Sequence, residues 1–177
     1  MDNNWLELLQ DSNQLARLVE TNNETEKYGL TLTEEDAQMI LEERKNVLRE
    51  QKRVEFTEGI VPKIIKEFCD SKYIDQNNYV STIVRLQEIF YLYKNEMQDE
   101  ITDDELLHLM KEQYEILCFG DLDYLESTCL MDVADAIRAG YKGYMQSEGY
   151  GEYSKFDSQE RWDYELYHEA LKDILWR

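Results

Sequence analysis

The sequence contains two histidines, His108 and His168, and each stands three residues after a glutamate: Glu105 in DDELLHLM (103–110) and Glu165 in DYELYHEA (163–170). Two Glu-x-x-His turns, with one more glutamate from each of two other helices, form the ligand set of a di-iron or di-manganese carboxylate bundle. The chain order fits that set. Glu88 precedes Glu105 and His108, and Glu126 precedes Glu165 and His168.

Metal ligands in such a bundle must point into its core, so helical phase is decisive. In the segment 103–118, Leu106, Met110, Tyr114 and Leu117 share one face, with His108 opposite them and Glu105 to one side. Thr102-x-x-Glu105 also spells a capping box, which gives Glu105 a structural task. In 158–176, Trp162, Leu166, Tyr167, Ala170 and Ile174 set the apolar face, Glu165, Glu169 and Lys172 lie across from it, and His168 sits at the boundary. Helical phase disfavours the metal reading. No metal ligand, no cofactor and no catalytic residue is expected.

Two residues break the pattern of their own helices. Arg44 falls on the apolar face of 33–51, and Glu126 falls among Leu122, Leu125, Cys129, Leu130 and Val133. A carboxylate in such a place can serve as an acid or base. The alternative is a structural group satisfied by a tyrosine hydroxyl or by an arginine, Arg44 being one candidate. The acidic run MQDEITDDE, 97–105, lacks the oxygen and glycine spacing of an EF-hand, and there is no glycine-rich phosphate loop or GxSxG. No serine or cysteine has a histidine near it in sequence, which disfavours a nucleophilic triad.

The elements that would position these groups are helices. Seven glycines and one proline in 177 residues leave few breakers. Apolar spacing predicts one or two short helices over 4–20 (Trp5, Leu9, Ala16 and Val19 on one face, with an interruption at 11–13), a polar connector over 21–32, and a helix opened by Thr33. Further helices are predicted over 60–69, 79–97, 103–118, 121–140 and 158–176, with a Gly- and Tyr-rich loop over 141–157. The expected architecture is all-α, a single domain over 1–177 built as a bundle of six or seven helices. The wide apolar surface of 79–97 marks it as the central helix.

Composition narrows the function classes. There are 39 Asp+Glu against 19 Lys+Arg, a formal net charge of −20, so direct nucleic-acid and anionic-membrane binding are disfavoured. Cys69, Cys118 and Cys129 are odd in number, far apart and without a CxxC, which suits free buried thiols. The N-terminal MDNNWLELLQD lacks a basic n-region and a long apolar run, so a cytoplasmic protein is expected.

The middle of the chain resembles a family of small uncharacterised bacterial proteins grouped as a domain of unknown function. The resemblance rests on LTEEDAQMILEERKNVLREQKRVEF (32–56), IVPKIIKEFCDSKYIDQNNYVSTIVRLQEIFYLYKNE (60–96), TDDELLHLM (102–110) and GDLDYLESTCL (120–130), and covers roughly residues 30–140. Its most distinctive part is FCDSKYIDQNNY, Phe68 to Tyr79. It implies a helical, cytoplasmic bacterial protein and brings no activity, cofactor or catalytic residue.

The expectation is a non-enzymatic cytoplasmic domain that binds another protein, with Tyr141, Tyr144, Tyr150 and Tyr153 as candidate contact residues. A homo-oligomer is compatible with it. Two alternatives stand beside it: an acidic nucleic-acid mimic that fills a basic groove of a nucleic-acid-binding protein, and a di-metal carboxylate enzyme.

Overall fold

A computed structural model describes residues 4–55 and 59–139. Its helices are α1 (Asn4–Glu20), α2 (Asn22–Thr25), α3 (Glu34–Glu50), α4 (Val61–Phe68), α5 (Tyr79–Glu96), α6 (Asp103–Ile116), α7 (Leu122–Tyr124) and α8 (Leu130–Arg138). A 3₁₀ turn, Glu26–Tyr28, follows α2, and a π turn, Leu125–Cys129, joins α7 to α8. The described residues are all-helical, without a strand. The expected segment 158–176 and the loop 141–157 lie outside them.

Local chemistry starts these helices where the sequence says they should start. Thr33 accepts from the Asp36 N–H at 3.1 Å while the Asp36 carboxylate accepts from the Thr33 N–H at 3.0 Å. Thr102 and Glu105 form the same reciprocal box. Each box satisfies N–H groups that have no partner inside the helix, and three acidic side chains in each first turn face its positive end. Pro62 sits in the first turn of α4, where its missing N–H costs nothing.

Helix α5 is the hub. It packs against α3, α4, α6 and α8, while α1 lies on α3 and α4. Tyr79, Ile83, Leu86, Ile89, Phe90, Tyr91 and Tyr93 are buried around most of its circumference. A helix apolar almost all round cannot lie at a surface.

Three local expectations are corrected. Helix α1 runs unbroken through residues 11–13, since Asp11 reaches Lys45 at 2.7 Å instead of capping a helix end. It packs through Leu15, Leu18 and Val19, with Leu18 buried, while Leu9 and Ala16 face solvent. The 121–140 helix contains the π turn, in which the Leu130 N–H reaches back to the Leu125 carbonyl. A regular helix would give that N–H to Glu126, and the Tyr93 hydroxyl instead donates to the Glu126 carbonyl.

The third correction concerns 21–32, which is no loose connector. Leu30 and Leu32 are almost fully buried. Burying them draws in backbone that has no helical partner, and polar side chains take up that backbone. Asn22 donates to the Leu32 carbonyl (2.8 Å) and accepts from its N–H (2.7 Å). Gln76 treats Thr31 the same way, donating at 2.9 Å and accepting at 2.8 Å. Two amide side chains thus do for Thr31 and Leu32 what a neighbouring strand would do.

The Asn22 pair is partly buried and the Gln76 pair is exposed. Asn22→Ala is therefore expected to cost about 1–3 kcal/mol and Gln76→Ala less than about 1 kcal/mol, read from the midpoints of urea unfolding at unchanged slope. Equal losses would show that burial of the leucines does not depend on the Asn22 amide.

Candidate binding cleft

The expected site residues do not assemble. Glu105 is spent on its capping box, and Thr102 donation from backbone and side chain holds its carboxyl below the usual glutamate value. His108 stands on the surface, its side chain 66% exposed, between Glu112 (3.3 Å) and Glu67 (3.7 Å). Glu88 and Glu126 meet at Arg85, which also reaches Asp123 at 3.4 Å. Glu126 thus has an arginine partner, and it is Arg85 rather than Arg44. Glu165, His168 and the four tyrosines Tyr141, Tyr144, Tyr150 and Tyr153 lie outside the described residues.

Arg44 leads somewhere else. It lines a cleft of about 570 Å³ between α1, the C-terminal half of α3 and the segment that follows it. Helix α1 contributes Gln10, Asp11 and Gln14; α3 contributes Arg44, Lys45, Leu48 and Arg49; and Arg53, Val54 and Glu55 close the far side. That volume lies in the range of ligand pockets. Four cations face two carboxylates across it, in a chain whose net charge is −20.

The cations are held very differently. The Arg44 side chain is only 7% exposed, and its guanidinium contacts Glu55 through Nε and Nη2 at 2.5 Å and donates to Gln14 from Nη1 at 3.2 Å. The other Glu55 oxygen accepts from the Ile60 N–H at 3.0 Å, just ahead of α4. Gly59 completes the arrangement. Its φ of +77° is left-handed, and a Cβ there would stand 2.5 Å from a Glu55 oxygen and 3.0 Å from Arg44 Nε.

Arg53 turns toward the end of α5. It donates to Asn95 at 2.7 Å and to both oxygens of Asp99 at 2.6 and 3.2 Å. This fork, with buried Lys94 at 3.4 Å, fastens a turn in which Gln98 and Asp99 both take positive φ, 53° and 57°. Non-glycine residues hold that conformation only when their surroundings insist on it. Lys45 makes an exposed ion pair with Asp11. Arg49 is exposed and has no partner among the described residues. Val54 is 73% exposed at the same rim.

Sequence reasoning noticed Arg44 on its apolar face but missed the cleft, because its walls come from segments far apart in the chain. The only prior signal was the density of basic residues over 44–53 in an otherwise acidic sequence.

The fold and site together define an all-helical domain with a cation-lined cleft and, among the described residues, no cluster of potential metal ligands. No described helix is long and apolar enough to cross a membrane. The chain belongs to a family of unknown function (DUF6323), whose model matches residues 17–143. No curated protein and no solved structure matches it.

Removing Glu55 leaves the Arg44 charge buried and unpaired. Glu55→Ala is therefore expected to cost about 3–5 kcal/mol. Arg44→Leu combined with Glu55→Leu should lose less than the two single changes summed, because the pair disappears together. Additive losses in a urea-unfolding cycle would show that the two side chains act independently.

Arg53 donation, the largest influence, holds the Asp99 carboxyl below its ordinary 3.8, so the folded state binds that proton more weakly than the unfolded chain. The resulting stabilisation is complete above 3.8 and is lost as pH falls through the lower folded value. The stability gap between wild type and Asp99→Asn is expected to be constant above 3.8 and to narrow below it, as followed by thermal melts across an acid series. A gap independent of pH would rule this coupling out.

Proposed function

We propose that this protein is a non-enzymatic, protein-interaction domain that receives an acidic segment of a partner protein in the α1–α3 cleft. The observation that carries the reading is Arg49, an exposed cation at the cleft rim with no partner among the described residues, beside exposed Val54. A guanidinium with no partner among the described residues suits a carboxylate bidentately, and an adjacent aliphatic surface suits the side chains between acids.

The overall charge opposes an acidic partner at long range and does not decide the outcome at contact. Screening reduces exposed charges beyond about 8 Å at physiological salt, whereas a partner in the cleft meets its cations directly. The three free cysteines agree with a reducing, cytoplasmic setting, and the family resemblance is to bacterial proteins.

The test uses a fluorescently labelled Glu/Asp-rich peptide interrupted by valines, its Lys counterpart, and inorganic polyphosphate, each followed by anisotropy with the full chain. The acidic peptide is expected to bind and to weaken with salt. Arg49→Glu is expected to reduce its affinity about tenfold or more, the equivalent of about 1.4 kcal/mol, while leaving the melting temperature unchanged. No binding, or binding indifferent to Arg49→Glu, would sink the reading. Preference for polyphosphate over the peptide would replace a protein partner with a phosphate-rich one.

A further inference from the structure

Cys118 and Cys129 are separated by eleven positions in the chain and stand 3.3 Å apart at sulfur. Cys118 lies just beyond α6, in the turn where its carbonyl accepts from the Asp121 N–H at 2.9 Å. Cys129 is the last residue of the π turn. Both are buried, and each points at the other from a different element. The π turn inserts an extra residue into the α7–α8 helix, which resets the rotation of everything after it and so fixes where Cys129 points. The fold has brought two thiols within reach of a bond.

We propose that Cys118 and Cys129 form a site of reversible disulfide modification, in which a small-molecule disulfide such as oxidised glutathione joins the end of α6 to the π turn. The step balances. A Cys118 or Cys129 thiolate attacks one sulfur of the oxidant, its S–S bond breaks, and one reduced glutathione leaves. The second protein thiolate then attacks the mixed disulfide and expels the second glutathione. Two protein S–H bonds are lost, one S–S bond forms, two electrons pass to the oxidant, and the two protons leave with the released thiols. The sulfurs must close from 3.3 Å to about 2.05 Å.

Burial is the leading cause that pushes both thiols upward from their ordinary value, and the mutual hydrogen bond adds to this for Cys118. Exchange in the closed fold is therefore slow, because the thiolate is the attacking species. Oxidation and reduction both proceed through local opening, or oxidation during folding, where the sulfurs become accessible. Cys69 is the internal control. It is buried too, but its thiol donates to the Lys66 carbonyl of α4, the helix it caps, and has no sulfur partner among the described residues.

The full chain is unfolded under reductant, refolded in a series of glutathione redox buffers, quenched with an alkylating agent in denaturant, and weighed intact and after digestion. The expected product in the more oxidising buffers is two hydrogens lighter before alkylation, carries one alkyl group at Cys69, and yields a linked Cys118–Cys129 peptide. Its melting temperature is expected to rise by several degrees and to fall back on reduction, since the link closes a short loop in the unfolded chain. Cys69→Ser should leave this behaviour intact, while Cys118→Ser and Cys129→Ser should each abolish it. Three alkylated cysteines at every redox poise, in wild type and in Cys69→Ser, would overturn the proposal. So would a linked peptide containing Cys69. The Cys69→Ser variant keeps the test decisive if either of the other substitutions prevents folding.

Discussion

Everything at the basic end of the α1–α3 layer depends on one buried ion pair, Arg44 with Glu55. A guanidinium on the apolar face of a helix is a liability unless its N–H groups are used. Here Glu55 and Gln14 use them, and the unoccupied side of Glu55 is taken by the Ile60 N–H. The pair therefore does more than cancel charge. It fixes α1 against α3, brings the segment after α3 back across the helix, and sets the start of α4. Gly59 is required by the same geometry, because no larger residue fits beside the pair and few adopt its φ. Such a pair adds little net stability over a well-packed apolar alternative, but its hydrogen bonds join the four segments that meet there.

The same principle recurs wherever the chain leaves regular helix. Asn22 and Gln76 take both backbone groups of Leu32 and Thr31. Tyr93 takes the carbonyl that the π turn releases, and burial, the largest influence, pushes its hydroxyl up to about 12 so that it remains a donor. Lys94, almost fully buried, donates to the Ile101 carbonyl and lies 3.0 Å from Asp103. In each case a side chain satisfies backbone groups that secondary structure does not reach. The core can then be apolar and close-packed without strands, because its irregular edges are closed by single polar residues.

This division explains what the sequence made legible. Helices α3, α4, α5 and α6 were readable because their signals are local: a threonine with an acid three residues on, a proline in a first turn, and apolar residues at helical spacing. The central place of α5 followed from its nearly continuous apolar surface. The order within 21–32 was not readable, since composition there is polar and its two leucines are held by residues whose partners appear only in three dimensions. The π turn was hidden because one extra residue does not disturb an apolar stripe enough to be seen. Arg44 and Glu126 were recognised as anomalies, but their partners, Glu55 and Arg85, come from segments that sequence cannot bring together. The cleft was invisible for the same reason.

The cleft also separates cations that build from cations that could bind. Arg44 is saturated and buried, so drawing it toward a ligand would strand Glu55 and undo the joint it organises. Arg53 is committed as a fork to Asp99, whose strained turn it helps to hold. Lys45 is different, because an exposed pair such as its contact with Asp11 is worth only about 0–1 kcal/mol and is readily exchanged for another carboxylate. Arg49 has no described partner to give up. An incoming anion would therefore meet Arg49 first and Lys45 second, with Arg44 and Arg53 keeping the walls in place. The acidic segment proposed as its occupant would then bind and leave without disturbing the packing beneath, because Arg49 and Lys45 are not the charges on which the fold relies.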